Sequence, residues 1–203
     1  MSKVRYKFKC VFCGNCCSDK GTIVNLTYLD ILRIVRGLNL SEHEILELLG
    51  FFVFSSDLSE ETLQKMVIPP ITTLKGKAFV GLLKNVEGAC IFLKDNLCKI
   101  YNLRPMFCRS FPFSFKTKDI DPMDKKVEIH MYYTSKALEY CKGISDDAPY
   151  INNKKWIKIG NKITKELQEN AQFIEIWNMN VEKGRIQPTA KNFIKMIFRY
   201  DKK

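Results

Sequence analysis

Apolar residues recur at helical spacing in two stretches that follow the first cysteines of the chain. Over "LTYLDILRIVRGLNL" they recur every three or four positions, with Thr27 as the predicted N-cap and Gly37 as the predicted stop. In "SEHEILELLG", Ser41 is followed three residues later by Glu44, which is typical of a capping box, and we expect this helix to end at Gly50. Two helices should therefore link the N-terminal cysteines to the middle of the chain.

The segment 51–74 carries no clear period. Its "FFVF" is typical of either a strand or a helix end, and Pro69 and Pro70 interrupt whatever element precedes them. We expect irregular structure here, with one short helix near "SEETLQKM". From Phe79 onward the apolar period changes to two, which indicates strands.

The stretch "GACIFLKDNLCKIY" predicts a β-hairpin. Apolar runs at 89–93 and 97–101 flank Asp95 and Asn96, a pair that tolerates the positive φ of a tight turn. The predicted hairpin carries Cys90 and Cys98 on its two arms.

A short helix is predicted in "RPMFCRSFP", which follows the hairpin. Pro105 falls in its first turn and Pro112 lies beyond its end, with Cys108 between them. Farther along, "VEIHMYY" indicates another strand, and Cys141 follows a short amphipathic turn.

The last third of the chain is predicted to be helical. One long helix should run from about Asn152 to Asn180, and a final helix should follow Pro188. Their predicted inward positions are Trp156, Ile159, Ile163, Leu167, Ala171, Ile174, Trp177 and Val181 in the first, and Phe193, Ile194, Ile197 and Tyr200 in the second. Lys191, Lys195 and Arg199 form an exposed stripe, which indicates a solvated face more than a binding surface.

These elements predict an α+β fold: a small cysteine-rich metal-binding domain with a hairpin and short helices, followed by a helical C-terminal extension. A chain of 203 residues with 46% hydrophobic content can bury one core without help from its cysteines. We place the cysteine domain at residues 1–150 and the extension packed on it at 151–203. No apolar run reaches the roughly 18 residues of a membrane span, and no signal peptide is evident, so we expect a cytoplasmic protein.

The net charge of +11 allows a nucleic-acid partner, because clustered Lys and Arg gain from counterion release. The lysines are scattered, however, and a solvated basic surface is the simpler interpretation. Nucleic acid is therefore not favoured, and the protein partner or substrate stays unidentified.

Four cysteines crowd into eight positions at Cys10, Cys13, Cys16 and Cys17. In a reducing compartment such thiols indicate metal ligation or redox chemistry more than disulfides. The run C-x₂-C-x₂-C supplies three ligands of a [4Fe–4S] cluster in bacterial ferredoxins, whereas most zinc modules use two separated C-x₂-C pairs. The spacing favours an iron–sulfur cluster, with zinc as the alternative.

Two features argue against one mononuclear site with four spectator cysteines. Adjacent side chains such as those of Cys16 and Cys17 project in different directions in most backbone conformations, so they would serve different ions or one polynuclear centre. In a regular hairpin Cys90 and Cys98 either face opposite sides or lie roughly 13 Å apart along the ladder. Sulfurs on one zinc ion lie only about 4 Å apart.

The segments "CVFCGNCC" and "CIFLKDNLCKIYNLRPMFCRSFPF", with the later Cys141-x-Gly143, closely resemble the CxxCxxCC family of zinc- or iron-chelating proteins, also called the YkgJ-type cysteine-cluster family. The resemblance covers about residues 8 to 145. The family's late motif is often Cys-Pro-Gly, whereas Lys142 replaces the proline here. The resemblance extends the expected metal ligands to a full set of eight: Cys10, Cys13, Cys16, Cys17, Cys90, Cys98, Cys108 and Cys141.

The resemblance also implies an alternative activity. One branch of the family is similar to the bacterial flagellin lysine N-methylase, which uses S-adenosylmethionine, and so implies a protein-lysine N-methyltransferase. The sequence has no glycine-rich cofactor turn after a strand, and the match lies in the cysteine domain alone. The primary expectation is a metal-binding protein whose centre is redox-active or structural, and a zinc-stabilised nucleic-acid- or protein-binding module is a further alternative.

Several residues near the cysteines have two interpretations. Arg104 and Arg109 flank Cys108, and they either donate hydrogen bonds to the sulfurs or to an anionic substrate, or form ordinary structural contacts. His130 lies in a predicted strand, where a histidine is more often structural than a ligand. A group of aromatic residues is expected to pack around the cysteines: Tyr101, Phe107, Phe111, Phe113 and Phe115.

Overall fold

The computed structural model describes residues 5–54, 66–121 and 126–200. Helices and small antiparallel sheets alternate along the chain and give way to a helical C-terminal region, so the predicted α+β class is confirmed. The short helix predicted near "SEETLQKM" falls at residues 55–65, outside the described residues. None of the described helices combines the length and the apolar composition that a membrane crossing requires.

Three helices precede the first sheet: α1 (Asn15–Ser18), α2 (Tyr28–Leu38) and α3 (Glu42–Leu46). Both predicted N-caps are confirmed. The Thr27 hydroxyl accepts from the Asp30 backbone N–H, and the Ser41 hydroxyl accepts from that of Glu44, each within a complete capping box. The helix α1, inside the cysteine cluster, was not predicted from the sequence.

Both predicted helix ends were wrong. Gly37 lies inside α2, which ends at Leu38 and is followed by the C-cap Asn39 in a left-handed conformation with φ of 53°. Gly37 serves packing instead, because a Cβ there would overlap the side chain of Leu103. Gly50 is not a helix end either, since α3 stops at Leu46 and Gly50 belongs to the following strand.

A three-stranded antiparallel sheet follows, with β1 (Leu49–Val53), β2 (Ile71–Thr73) and β3 (Gly76–Leu82) in the order β1-β3-β2. The "FFVF" segment is therefore mostly strand. A second antiparallel pair, β6 (Phe113–Asp121) with β7 (Lys126–Tyr133), confirms the strand predicted at "VEIHMYY".

The predicted hairpin is confirmed at its tip, but it is short. Strands β4 (Leu93–Lys94) and β5 (Leu97–Cys98) pair across a two-residue turn in which Asp95 and Asn96 both have positive φ. After the hairpin, a 3₁₀ turn at Tyr101–Leu103 leads into α4 (Met106–Ser110). Pro105 is the N-cap of α4 and not a residue of its first turn, while Pro112 lies beyond its end as predicted.

The C-terminal helices form much of the core. After α5 (Ser135–Tyr140) come α6 (Asn153–Glu182), capped by Asn152, and α7 (Ala190–Tyr200), which confirms both predicted helices. Helix α6 packs on β2, β7, α2 and α4, and α7 packs on α2 and α3. The most buried side chains of this core are Ile31, Ile34, Ile45, Ala78, Phe173, Trp177, Ile194 and Ile197.

Candidate metal centre

All eight cysteines line two neighbouring cavities of about 460 Å³ each. Cys16, Cys17 and Cys108 line both, so the two cavities meet at these thiols. The first cavity is also lined by Cys10, Cys13, Cys98 and Cys141, and the second by Cys90. The fold thus gathers cysteines from the N-terminal loop, the hairpin, α4 and the end of α5.

Backbone pairing places the N-terminal loop beside Cys141. The Lys9 N–H donates to the Gly143 carbonyl at 3.0 Å, and the Phe8 N–H donates to the Pro149 carbonyl at 3.1 Å. A Cβ at Gly143 would lie 2.5 Å from the Lys9 carbonyl oxygen. The glycine of the Cys-x-Gly motif is therefore required by the close approach of the loop that carries the first cysteines.

The next turn of the loop is held from two sides. Gly14, with φ of 73°, packs against the hairpin tip, where an added Cβ would lie 3.2 Å from the Asn96 Cα. The Asn15 Nδ2 donates to the Tyr140 carbonyl at 3.1 Å, at the end of α5. Because a positive φ favours glycine, Gly14 allows the sharp turn that begins α1.

Helix α1 carries Cys16 and Cys17, whose Sγ atoms lie 4.0 Å apart. Successive side chains of an α-helix diverge by about 100°, yet these two thiols face the same pair of cavities. That they serve different ions or one polynuclear centre stays a prediction. Their separation is close to the spacing of two thiolates on one metal centre.

The thiol of Cys17 interacts with the thiols of both Cys16 and Cys98. Its interaction with Cys16 lowers the pKa of the Cys16 thiol to about 7, and its interaction with Cys98 lowers the pKa of the Cys98 thiol to about 6. The same two hydrogen bonds raise the pKa of Cys17 itself. At neutral pH Cys98 is therefore mostly, and Cys16 about half, in the thiolate form that binds metals.

Cys90 lies outside the regular hairpin ladder. Its backbone N–H donates to the Cys17 carbonyl at 2.8 Å, and it forms an isolated bridge with Lys84. A regular two-residue hairpin would have brought Cys90 near Tyr101, but Tyr101 belongs to the 3₁₀ turn and the ladder stops before it. The irregular hairpin thus ties Cys90 to α1.

A buried carboxylate fixes the helix that carries Cys108. Asp30 accepts from the Met106 backbone N–H at 2.9 Å, two residues before Cys108, and also from Thr27 and Arg33. Arg33 continues to Glu166 of α6 at 2.9 Å. This buried network joins α2, α4 and α6 behind the cysteines.

The remaining shifted thiols are held in the neutral form. Burial raises the pKa of Cys90, Cys108 and Cys141, and neighbouring cysteines add to the shift in each case. Neighbouring thiolates repel one another, and a cation that binds between them relieves this repulsion. The cysteine cluster therefore has the electrostatics of a site that releases protons when it binds a metal.

Arg104 and Arg109 both line the first cavity. The Arg104 charge helps to lower the pKa of Cys16 and of Cys98, after the larger effect of Cys17. Arg104 also lies over the Tyr101 ring, with its Cζ 3.9 Å from the ring centroid, and Arg109 donates to the Asn102 carbonyl at 3.0 Å. Both arginines therefore make structural contacts and also line the cavity that the cysteines line.

The expected aromatic shell is present in part around the sulfurs. Tyr101 lines the first cavity, Phe107 and Phe113 line the second, and Phe111 lines both. Phe115 instead packs against Gly160 of α6. His130 is exposed and lines neither cavity.

The donor chemistry fits a metal, but the arrangement is not that of a compact single-ion site. Within the described ranges, no three Cys, His, Asp or Glu side chains converge closely enough to hold one ion. The thiols instead surround the two cavities. Soft thiolates in that arrangement suit zinc or an iron–sulfur centre by ligand type.

Helix α6 supplies a wall of the first cavity that sequence reasoning missed. Lys155, Trp156, Ile159, Lys162 and Glu166 all line it. The available signal was the polar Glu166 among the apolar positions of the long helix, since a buried charge requires a partner.

A family model described as "Putative zinc- or iron-chelating domain", CxxCxxCC, matches residues 9–142 and thus spans all eight cysteines. The chain belongs to the CxxCxxCC family. The match ends before α6, so the helical wall of the first cavity lies outside the family domain.

Two relatives of this CxxCxxCC protein come from Methanocaldococcus jannaschii. "Uncharacterized protein MJ0661" is 29% identical over 140 residues, which is 68% of this chain and 58% of that protein. "Uncharacterized protein MJ0939" is 25% identical over 207 aligned positions, which cover 95% of this chain and 62% of that protein. The chain thus spans about three fifths of these curated relatives. No solved structure matches it.

Proposed function

We propose that this CxxCxxCC protein holds an iron–sulfur cluster, of the [4Fe–4S] type, through its clustered cysteines. The observation that carries the proposal is the spread of eight thiols around two cavities that meet at Cys16, Cys17 and Cys108. A structural zinc ion needs four ligands in one tight tetrahedron. A polynuclear centre takes ligands from a wider ring, and the ferredoxin-like spacing of the first three cysteines agrees with it.

The residues of this chain would do three things for such a cluster. Cys98 and Cys16 would bind first, because their lowered pKa values of about 6 and about 7 give them the largest thiolate fractions near neutral pH. Arg104 would offset the negative charge of the sulfurs. The aromatic side chains around the cavities would limit water access, which tunes a cluster's potential. A bound cluster supplies one-electron chemistry, so the centre is redox-active or, if it never changes oxidation state, structural.

The helical region 151–203 would be an extension packed on the cysteine domain. Its helix α6 contacts α4, which carries Cys108, and lines the first cavity. All strand pairings in the described part of the chain are antiparallel, so the parallel sheet of a Rossmann-type S-adenosylmethionine site finds no support there.

The test is metal and acid-labile sulfide analysis with an absorption spectrum, on protein purified without oxygen. We expect brown protein with iron and sulfide in near-equal amounts. The Cys17→Ser variant should lose most of both, whereas Ser18→Ala, a change of the adjacent residue on α1, should keep them. Colourless protein with stoichiometric zinc would replace the cluster by a structural zinc centre. Protein without bound metal would overturn both forms of the proposal.

A further inference from the structure

The first cavity has two chemically different walls. One wall consists of cysteines from the N-terminal loop, the hairpin, α4 and the end of α5. A second wall is formed by α6, which contributes Lys155, Trp156, Ile159, Lys162 and Glu166. The chain has no cysteine after Cys141, so the α6 wall offers no thiolate to a metal.

The α6 wall has the character of a small-molecule site. It includes two apolar side chains, Trp156 and Ile159. Trp156 packs edge-on against Phe113, with the ring centroids 4.6 Å apart. The cavity, which a metal centre on its cysteine wall would share, measures about 460 Å³ in all, within the range of roughly 300–1000 Å³ typical of small-molecule pockets. An apolar floor with a few polar groups at its edge is the usual composition of such pockets.

The charges at the edge of the cavity are unbalanced. Its cationic lining residues are Arg104, Arg109, Lys155 and Lys162, and its one acidic lining residue is Glu166. The Glu166 carboxylate already pairs with Arg33 at 2.9 Å and with Lys162 at 3.6 Å. Arg104 acts on the thiolates of Cys16 and Cys98. Arg109 donates one hydrogen bond to the Asn102 carbonyl, so its other N–H groups and the exposed Lys155 ammonium can face a further anion.

We infer that the α6 side of this cavity binds a small organic carboxylate with an apolar body, directly beside the metal centre. The apolar body would lie against Trp156 and Ile159, and the carboxylate would lie at the cationic edge formed by Arg109 and Lys155. A charge-assisted contact discriminates between an anion and its neutral analogue. The position of this ligand beside a metal rests on the proposed function, whereas the anion pocket itself rests on α6.

The test uses three probes with one apolar body: 4-phenylbutyrate, 4-phenylbutanol and 4-phenylbutylamine. Each is titrated calorimetrically into metal-loaded protein, and the metal content of the same sample is measured. We expect saturable 1:1 binding of the carboxylate, about tenfold tighter than the alcohol, and still weaker binding of the amine. Added salt should weaken the binding of the carboxylate and leave the affinity for the alcohol unchanged.

Two lysines of α6 provide a matched pair of variants. Lys155→Gln removes a cation that lines the cavity, whereas Lys158→Gln removes an exposed cation of the same helix that does not line it. We expect Lys155→Gln to weaken carboxylate binding by about fivefold to tenfold and Lys158→Gln to leave it unchanged. Both variants change surface positions, so folding is preserved.

Three results would overturn the inference: no saturable binding of 4-phenylbutyrate, equal affinity for the alcohol, or equal losses in the two variants. If metal is present and the carboxylate does not bind, the inferred carboxylate site is refuted and the metal proposal stands. If the carboxylate binds with the expected selectivity to protein that contains no metal, the pocket stands and the metal proposal fails.

Discussion

The buried network behind Cys108 gives the sharpest prediction, through the substitution Asp30→Asn. Asp30 is fully buried and accepts hydrogen bonds from Thr27, Arg33 and the Met106 backbone N–H. Burial raises the pKa of Asp30, and these donors act in the opposite direction. An asparagine keeps the shape, but it removes the charge opposite Arg33 and turns an N–H₂ group toward at least one of the donors.

The expected loss of unfolding free energy is about 3 kcal/mol, because removal of one partner from a buried ion pair costs roughly 3–5 kcal/mol and the amide retains part of the hydrogen bonding. Arg33 keeps its contact with Glu166 at 2.9 Å, which limits the loss. Since Met106 begins the helix that carries Cys108, metal affinity should fall as well.

The chain contains a matched control for this change. Ser41 and Glu44 form the same capping box as Thr27 and Asp30, but Glu44 is exposed and caps only its own helix. Glu44→Gln should therefore change stability little. Urea unfolding at pH 7, with and without a chelator, measures the free energy of unfolding of each variant. The metal retained after dialysis against the chelator compares their metal affinities.

Equal small losses in Asp30→Asn and Glu44→Gln would refute the reasoning, because they would mean that the bonds to Arg33 and Met106 contribute nothing. A large loss of stability with unchanged metal retention would refute only the second step, that Asp30 positions Cys108 through the start of α4.

Three further predictions concern the cysteine cluster itself. Gly143→Ala should lower the free energy of unfolding by about 1–3 kcal/mol and reduce metal retention, because the new Cβ would meet the Lys9 carbonyl. Gly21→Ala, where a Cβ has room, should change neither quantity. Urea unfolding and metal analysis measure the two effects. In metal-free protein at pH 7, mass spectrometry after brief iodoacetamide treatment should find Cys16 and Cys98 alkylated before Cys90. Their pKa values of about 7 and about 6 leave about half and about nine tenths as thiolate, the reactive form, and the rates should fall as the pH drops below these values; equal rates at all three would contradict the assignment. Chelation should lower the melting temperature by about 10 °C or more in a thermal scan, and an unchanged value would mean that metal binding is not coupled to folding.

Local patterns in the sequence determined the longer helices, the N-caps of α2 and α3 and the turn of the hairpin. The capping boxes at Thr27 and Ser41, the apolar period of α6 and α7, and the Asp95-Asn96 turn each depend on residues within a few positions of one another. Thiolate chemistry and the cysteine spacing likewise indicated a metal protein, and the longer cysteine motifs resembled the CxxCxxCC family, whose model matches residues 9–142.

Tertiary structure decided what depends on residues distant in sequence. The sequence pattern predicts a helix end at Gly37, but the structure shows that the missing side chain leaves space for Leu103. Gly143 is required by the close approach of Lys9, which lies in a remote loop. The turn at Gly14, the bond from Cys90 to Cys17 and the α6 wall of the first cavity also bring together segments that no local pattern relates. A sequence shows which residue types can bind a metal, but only the packing of the chain determines which of them face the same space.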